Sequence, residues 1–299
     1  MKIALVGAGI IGTSLGVVLK KAGHEVVAIA SRTLKSARAA SGIIGDVHVA
    51  GDPSLVALGA DVVFLAVPDR TIPTVGIQVA SGGALRRGAV VAHLSGALPA
   101  GVLTAVRAAG GYPGCMHPLQ TFADIETAIA SLPGSFFFLE GDEEAVDVLR
   151  SLVLSIDGRP VPLDSASKSL YHAAACAASN YLVTLADYAV NLMIKAGVPN
   201  DVALPALLPL IQGTVRNLEV VGLPDALTGP ISRGDIGTLK NHLVALRQAP
   251  GDLVRLYAAL ARKTVEVALR KGKIERAQAD RILDLFKGDE PSIGLPTVG

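Results

Sequence analysis

The chain has 299 residues, enough for two domains with separate cores. Its 27 basic and 26 acidic residues leave a formal charge of +1, which gives no electrostatic case for a nucleic acid or an anionic membrane as partner. Two cysteines, Cys115 and Cys176, are too few for a disulfide scaffold or a zinc cluster and read as inert thiols in apolar surroundings.

The first elements alternate strand and helix. Residues 3–6 read as a short apolar strand, 10–22 as a helix and 25–30 as a second strand. The apolar run from Met1-Lys2 to Lys20-Lys21 is interrupted by Gly7, Gly9, Gly12 and Gly16 and lacks a signal-peptide cleavage site. No stretch reads as a spanning helix with membrane flanks, so a cytoplasmic protein is expected. Residues 61–67 form a continuous apolar run closed by Pro68, as in a strand buried on both faces. Strands at 90–94, 136–139 and 160–163, with a helix at 143–154, complete a pattern that implies a mostly parallel, doubly wound α/β sheet. After Asp164 only helical periods remain: 165–196, 201–221, 236–247, 252–271 and 275–286. The chain therefore divides into an α/β domain at 1–164, an all-α domain at 165–290 and a loose tail at 291–299. The stretch 165–196 is apolar around its whole circumference, which predicts a homodimer built on the helical domain.

Gly7-Ala8-Gly9-Ile10-Ile11-Gly12 is a G-x-G-x-x-G turn between a strand and a helix. Gly7 permits the tight turn, Gly9 lets a pyrophosphate approach the backbone, and Gly12 allows close helix-strand packing. The helix N-terminus then offers free N–H groups and its positive dipole end to phosphates. With the strand and helix in place, the motif defines a Rossmann dinucleotide site. The second strand ends in Ser31-Arg32-Thr33, with no carboxylate for a ribose 2′-hydroxyl. A hydroxyl pair and a guanidinium suit a 2′-phosphate, so the expected cofactor is NADP(H). Val67-Pro68 and Ser95 close two later strands, where ligands of such sheets lie. Asp69 and Arg70 read equally as ligand contacts or as a solvated turn, and His93 as a core histidine.

The segments G-A-G-I-I-G, A-V-P-D-R, H-L-S-G, M-H-P-L-Q-T-F, A-A-S-N-Y and L-T-G-P-I-S-R-G-D follow in one order over nearly the whole chain. Together they resemble a bacterial family with a Rossmann-like N-terminal domain and a helical C-terminal domain of formally unknown function. That family is similar in architecture to ketopantoate reductase, pyrroline-5-carboxylate reductase, prephenate dehydrogenase and the beta-hydroxyacid dehydrogenases, with a C-terminal domain like that of the phosphogluconate dehydrogenase relatives. The resemblance implies an NADP-dependent reductase with its active site between the domains.

Candidate catalytic residues cluster around the first long helix. Lys168 and His172 are four apart and share a face, and Ser179 returns close to that stripe on an ideal helix. Asn180 lies beside it and could hold a substrate carboxylate or the nicotinamide amide. Dehydrogenases of the related families carry a Lys-x-x-x-Asn pair on the corresponding helix; here the second member is His172, so either Lys168 or His172 is the proton donor. The His117-Pro118 element resembles one in prephenate dehydrogenases and makes His117 a substrate contact or second proton shuttle, with Gln120 and Thr121 as polar contacts. Arg233 is a candidate carboxylate anchor, and Asp235 a helix N-cap. The leading expectation is an NADPH-dependent reductase of a small 2-oxo acid, ketopantoate first. A cyclic-imine reductase and a non-catalytic NADP(H)-binding regulator are the alternatives.

Overall fold

The computed structural model describes residues 1–45, 47–249 and 253–289, so the expected tail at 291–299 lies outside the described residues. The chain forms two compact units that divide between Leu182 and Val183.

The first unit winds helices about an eight-stranded sheet. In chain order it runs β1 (Lys2–Val6), α1 (Ile10–Lys21), β2 (Glu25–Ala30), α2 (Leu34–Ile44), β3 (His48–Ala50), α3 (Pro53–Val56), β4 (Val62–Leu65), α4 (Ile72–Ser81), β5 (Val90–His93), α5 (Thr104–Ala108), β6 (Tyr112–Pro118), α6 (Ile125–Ser131), β7 (Phe136–Gly141), α7 (Glu143–Ser155), β8 (Arg159–Pro162) and α8 (Lys168–Ala178). The strand order is β3-β2-β1-β4-β5-β6-β7-β8. All pairs are parallel except β6 with β7. The order reverses between β1 and β4, the switch point where sheets of this kind open a crevice. The central strands are apolar on both faces because both are covered. Ile3, Leu5, Phe64 and Ala92 pack on one side with Leu15 and Leu19 of α1. Ala4, Val6, Leu65 and Val91 pack on the other with Ile72 and Val79 of α4.

The second unit holds most of α9 (Asn180–Lys195), then α10 (Asn200–Val221), α11 (Ile236–Gln248), α12 (Leu253–Arg270) and α13 (Arg276–Asp284). Its core joins Leu239 and Leu243 of α11 to Ala258, Ala261, Val265 and Ala268 of α12 and to Ile282 and Phe286. The three- and four-residue spacing in α12 is that of a single buried helix face. Among the described residues no strand follows β8, and no helix is long and apolar enough to cross a membrane.

Beyond the helices α2 to α6, which the sequence reading did not place, two elements differ from it. The stretch 165–196 is not one helix: a single turn at Ser165–Ser167 leads into α8, and the helix breaks at Ser179 (φ −113°, ψ −68°) before α9. The three-residue strand β3 is too short to show a period of two. The change to purely helical structure does fall after β8, but α8 stays with the sheet, so the compact units divide later than residue 164.

Candidate active site

The β1–α1 turn has the shape of a phosphate seat. Gly7 sits at φ +118°, and its N–H donates to Ala30 O at 2.8 Å. A Cβ there would lie 2.0 Å from Ala66 O. A Cβ on Gly12 would lie 2.2 Å from Gly7 O and 2.8 Å from the Ala66 methyl, so α1 packs against the turn and the end of β4 only because Gly12 has none. Around Gly9 nothing lies within 4 Å of the same position. Gly9 caps α1 with no side-chain bond, and the first turn holds no acidic residue. The N–H groups of Ile10 and Ile11 have no intrahelical acceptor and, with the positive end of the dipole, suit an anion. Ala8 and Ile11 are half-buried beside this opening. At the end of β2, Thr33 caps α2: its Oγ1 accepts from Ser36 N at 3.2 Å. Arg32 is exposed and makes no ion pair among the described residues, and Ser31 is half-buried.

The carboxyl ends of β4, β5 and β6 lie in register beside this turn. Val67 and Pro68 lead from β4 to Asp69, whose Oδ2 accepts from Ser95 Oγ at 2.8 Å. The same Ser95 Oγ accepts from Ala97 N and Leu98 N at 3.1 and 3.0 Å. Ser95 is thus buried with its hydroxyl committed to the turn, and it shapes the strand end rather than offering a free side chain. A Cβ on the next residue, Gly96, would stand 2.8 Å from both His117 Nε2 and His172 Nδ1. The absence of that methyl lets the two imidazoles close on the end of β5.

The rest of the cluster stands on one face of the sheet. Cys115 and His117 are two apart on β6, and Cys115 is opposite His93 on β5 and Glu140 on β7. α8 supplies the other side. Lys168, only 2% exposed, donates from Nζ to Cys115 Sγ at 2.7 Å. Cys115 Sγ donates to Ser95 O at 3.3 Å. Glu140 Oε2 accepts from Ala100 N at 2.6 Å, and Oε1 accepts from Ser165 Oγ, which ties β7 to the start of α8. One turn on, Tyr171 Oη pairs with His117 Nδ1 at 2.6 Å, and its ring lies 4.3 Å from that of Phe138. His172 Nδ1 is buried without a partner, as is His93 Nε2. Such orphaned polar atoms call for an explanation, a ligand or a bound water among them.

These surroundings keep the cluster neutral apart from its charged ends. Burial first, then the Lys168 charge with His172 and His93, lowers His117 to about 4 against the opposing effect of Asp69. Burial and Lys168 lower His93 to about 4 as well. Burial raises the Cys115 thiol to about 11 in spite of Lys168, and raises Tyr171 above its ordinary value. Near neutral pH both histidines are uncharged, and the thiol and phenol keep their protons. The reading of Cys115 as an inert core thiol accords with this; Cys176 is only half-buried, its Sγ 3.7 Å from His172 Nε2.

Of the residues singled out from sequence, His117, Lys168 and His172 come together. Lys168 does so as a buried ammonium turned to a thiol. Ser179 is exposed at the helix break and Asn180 is exposed at the start of α9. Gln120 is exposed and bonded to its neighbour, Oε1 accepting from Thr121 N at 2.9 Å. Arg233 is exposed in the second unit, in the turn before α11. Asp235 caps that helix as expected, Oδ1 accepting from Thr238 N at 3.0 Å. Tyr171 and Glu140 escaped the sequence reading, and Cys115 entered it only as an inert thiol. Tyr171 had a signal, three residues after Lys168 on the same helix; Cys115 had another, two residues before His117 on the same strand.

The fold and the glycine turn define a Rossmann-like protein. Residues 1–118 match the family model of a Rossmann-like domain, and residues 135–264 match that of a domain of unknown function, DUF2520. The chain thus carries a Rossmann-like domain followed by a DUF2520 domain, the composition of the bacterial family it resembles. No curated protein sequence matches it. Among solved structures it is similar to protein TM1727 of Thermotoga maritima, at 28% identity and a TM-score of 0.72 over 91% of this chain and 99% of that one. A Bacteroides fragilis protein, provisionally ascribed an NADP oxidoreductase activity, is 27% identical with a TM-score of 0.69 over 89% and 98%. The Plasmodium falciparum pyrroline carboxylate reductase with NADP bound shares the fold at 14% identity and a TM-score of 0.57, over 93% of this chain and 98% of that one.

Proposed function

We propose that the protein is an NADP(H)-dependent oxidoreductase that reduces the carbonyl of a small 2-oxo acid, ketopantoate being the first candidate. The observation that carries this reading is the juxtaposition, at the carboxyl ends of β1, β4, β5 and β6, of an open glycine turn and a cluster of neutral proton-bearing side chains. Gly7, Gly9 and Gly12, with the backbone of Ala8, Ile10 and Ile11, would hold the pyrophosphate. Ser31 and Arg32 would hold the 2′-phosphate, and Val67 and Pro68 would flank the nicotinamide. When bound, this cofactor supplies the hydride. His117 and His172 would orient the carbonyl and stabilise the charge that develops on its oxygen, with Tyr171 holding His117 in place.

A second reading is reduction of a cyclic imine. It is favoured by Lys168, the only lysine or arginine of this cluster, whose ammonium faces Cys115 and so is not turned outward to a substrate carboxylate. A protonated imine also demands less of an acid. The test is NADPH oxidation against panels of 2-oxo acids and cyclic imines, with NADPH binding followed separately by its fluorescence. Turnover of a 2-oxo acid supports the first reading, and turnover of imines alone supports the second. Tight NADPH binding without turnover of either panel would point to a regulator, and absence of binding would overturn the cofactor assignment.

We also propose that the protein is a homodimer through its helical region. Among the described residues α9 buries no side chain and α10 only Ala203, while Leu210 is 67% and Val220 82% exposed. An apolar surface of this extent is unusual for a monomer.

A further inference from the structure

We propose that Tyr171 is a positioning residue: its hydroxyl donates to His117 Nδ1 and thereby fixes His117 as the tautomer that carries its proton on Nε2, the nitrogen turned to Gly96. The catalytic use of that N–H rests on the reductase reading, but the tautomer itself does not.

The geometry supports one direction for the 2.6 Å bond between Tyr171 and His117. A neutral imidazole has one donor and one acceptor nitrogen, and the partner of one settles the state of the other. Burial holds the Tyr171 proton, and among the described residues its Oη has no other hydrogen-bond partner than His117. Were His117 to donate from Nδ1, the Tyr171 O–H would be left without an acceptor in a half-buried place. Tyr171 is also held from two sides: tilted against Phe138 with ring centroids 4.3 Å apart, and edge-on to His117 with centroids 5.6 Å apart at 84°. The groups that act on the His117 charge are Lys168, His172, Asp69 and His93; burial first, then Lys168, His172 and His93, keep it neutral down to a pH of about 4 against the opposing effect of Asp69.

The consequence lies at Gly96. His117 Nε2 and His172 Nδ1 each come within 2.8 Å of one point beside its Cα. With Tyr171 donating, the His117 nitrogen beside Gly96 is the one that carries the proton, next to the buried and unpartnered His172 Nδ1. A neutral imidazole N–H is a preorganised donor to an oxygen or nitrogen that gains negative charge during reduction, and it needs no protonation change to act.

The experiment is long-range proton–nitrogen correlation NMR of the 15N-labelled full-length protein near neutral pH, with the His117 signals assigned by their loss in His117→Gln. The wild type should show His117 protonated on Nε2. Tyr171→Phe keeps the ring against Phe138 but should move His117 towards a mixture of tautomers. On an active substrate, the variant should lower kcat about tenfold with KM and NADPH affinity little changed, the signature of a mispositioned donor. A wild-type His117 protonated on Nδ1, or a tautomer unaltered in Tyr171→Phe, would overturn the proposal. A tautomer that shifts as expected in a protein that reduces nothing would support the Tyr171 assignment and count against the reductase reading instead.

Discussion

Gly9 and Gly12 stand in one turn in contact with different things, and that separates binding from folding. Around Gly9 a Cβ meets nothing, whereas at Gly12 it would strike Gly7 O. Gly9→Ala should therefore leave the urea midpoint unchanged while weakening NADPH by at least tenfold, about 1.4 kcal/mol. Gly12→Ala should lower both. Unchanged NADPH affinity in Gly9→Ala would remove the pyrophosphate from this turn. Arg32→Ala should narrow a preference for NADPH over NADH, since no carboxylate stands at the end of β2; equal binding of the two cofactors by the wild type would refute that role. His93 makes a separate prediction. Its ordinary value of 6.5 falls to about 4 on folding, so in that window the unfolded chain takes up a proton that the folded chain refuses. Stability is therefore lost as pH falls through the window, by about 2 kcal/mol from this residue between about pH 7 and about pH 5. Urea denaturation at both pH values should show it, and His93→Asn should flatten the slope. The glycine turn was legible in the sequence because its spacing is local. The bond between Tyr171 and His117, and the burial of Lys168 on Cys115, were not, because each joins residues more than fifty positions apart.

Elements with a period of their own were the legible ones. The helices α10 to α13 and the strands β1, β2, β4 and β5 follow apolar patterns that run the length of each element. The break between α8 and α9 was hidden because Ala178-Ser179-Asn180 contains neither glycine nor proline and the apolar period continues across it. The cap of α11 was visible from Asp235 three residues before Thr238. Asp235→Ala should cost about 1 kcal/mol of stability, the usual loss of such a cap. NADPH affinity should be untouched, because the cap lies in the second unit. Thr33→Ala should lower stability by a similar amount through α2, whereas Thr33→Ser keeps the capping hydroxyl and should not. A fall in NADPH affinity in Thr33→Ala that Thr33→Ser does not share would reveal a cofactor contact as well as a cap.

At the scale of the molecule, the exposed apolar residues of the helical region bear on the proposed homodimer. Leu210 and Val220 belong to a helix with one buried residue among those described. Sedimentation at micromolar concentration should give twice the monomer mass, and Leu210→Lys with Val220→Lys should return it to one. A wild-type monomer would refute the assembly. The sequence shows an excess of apolar residues along 165–196; that the excess extends through α10 emerged once the unit's own core proved to be built from α11 to α13.

The reversal of the sheet between β6 and β7 has a bearing on how this chain can be divided. The Rossmann-like match ends at residue 118, the last of β6, and the DUF2520 match begins at 135, just before β7. The border between two sequence families thus runs through the middle of one hydrogen-bonded sheet, and the His117–Tyr171 bond straddles it. Neither family can be inherited or exchanged here as a free-standing module. A fragment that stops at 118 would bare the long edge of β6 to any strand it meets, and should precipitate. A fragment that stops at 182 keeps the sheet whole with α8 in place, and should remain in solution and bind NADPH unaided.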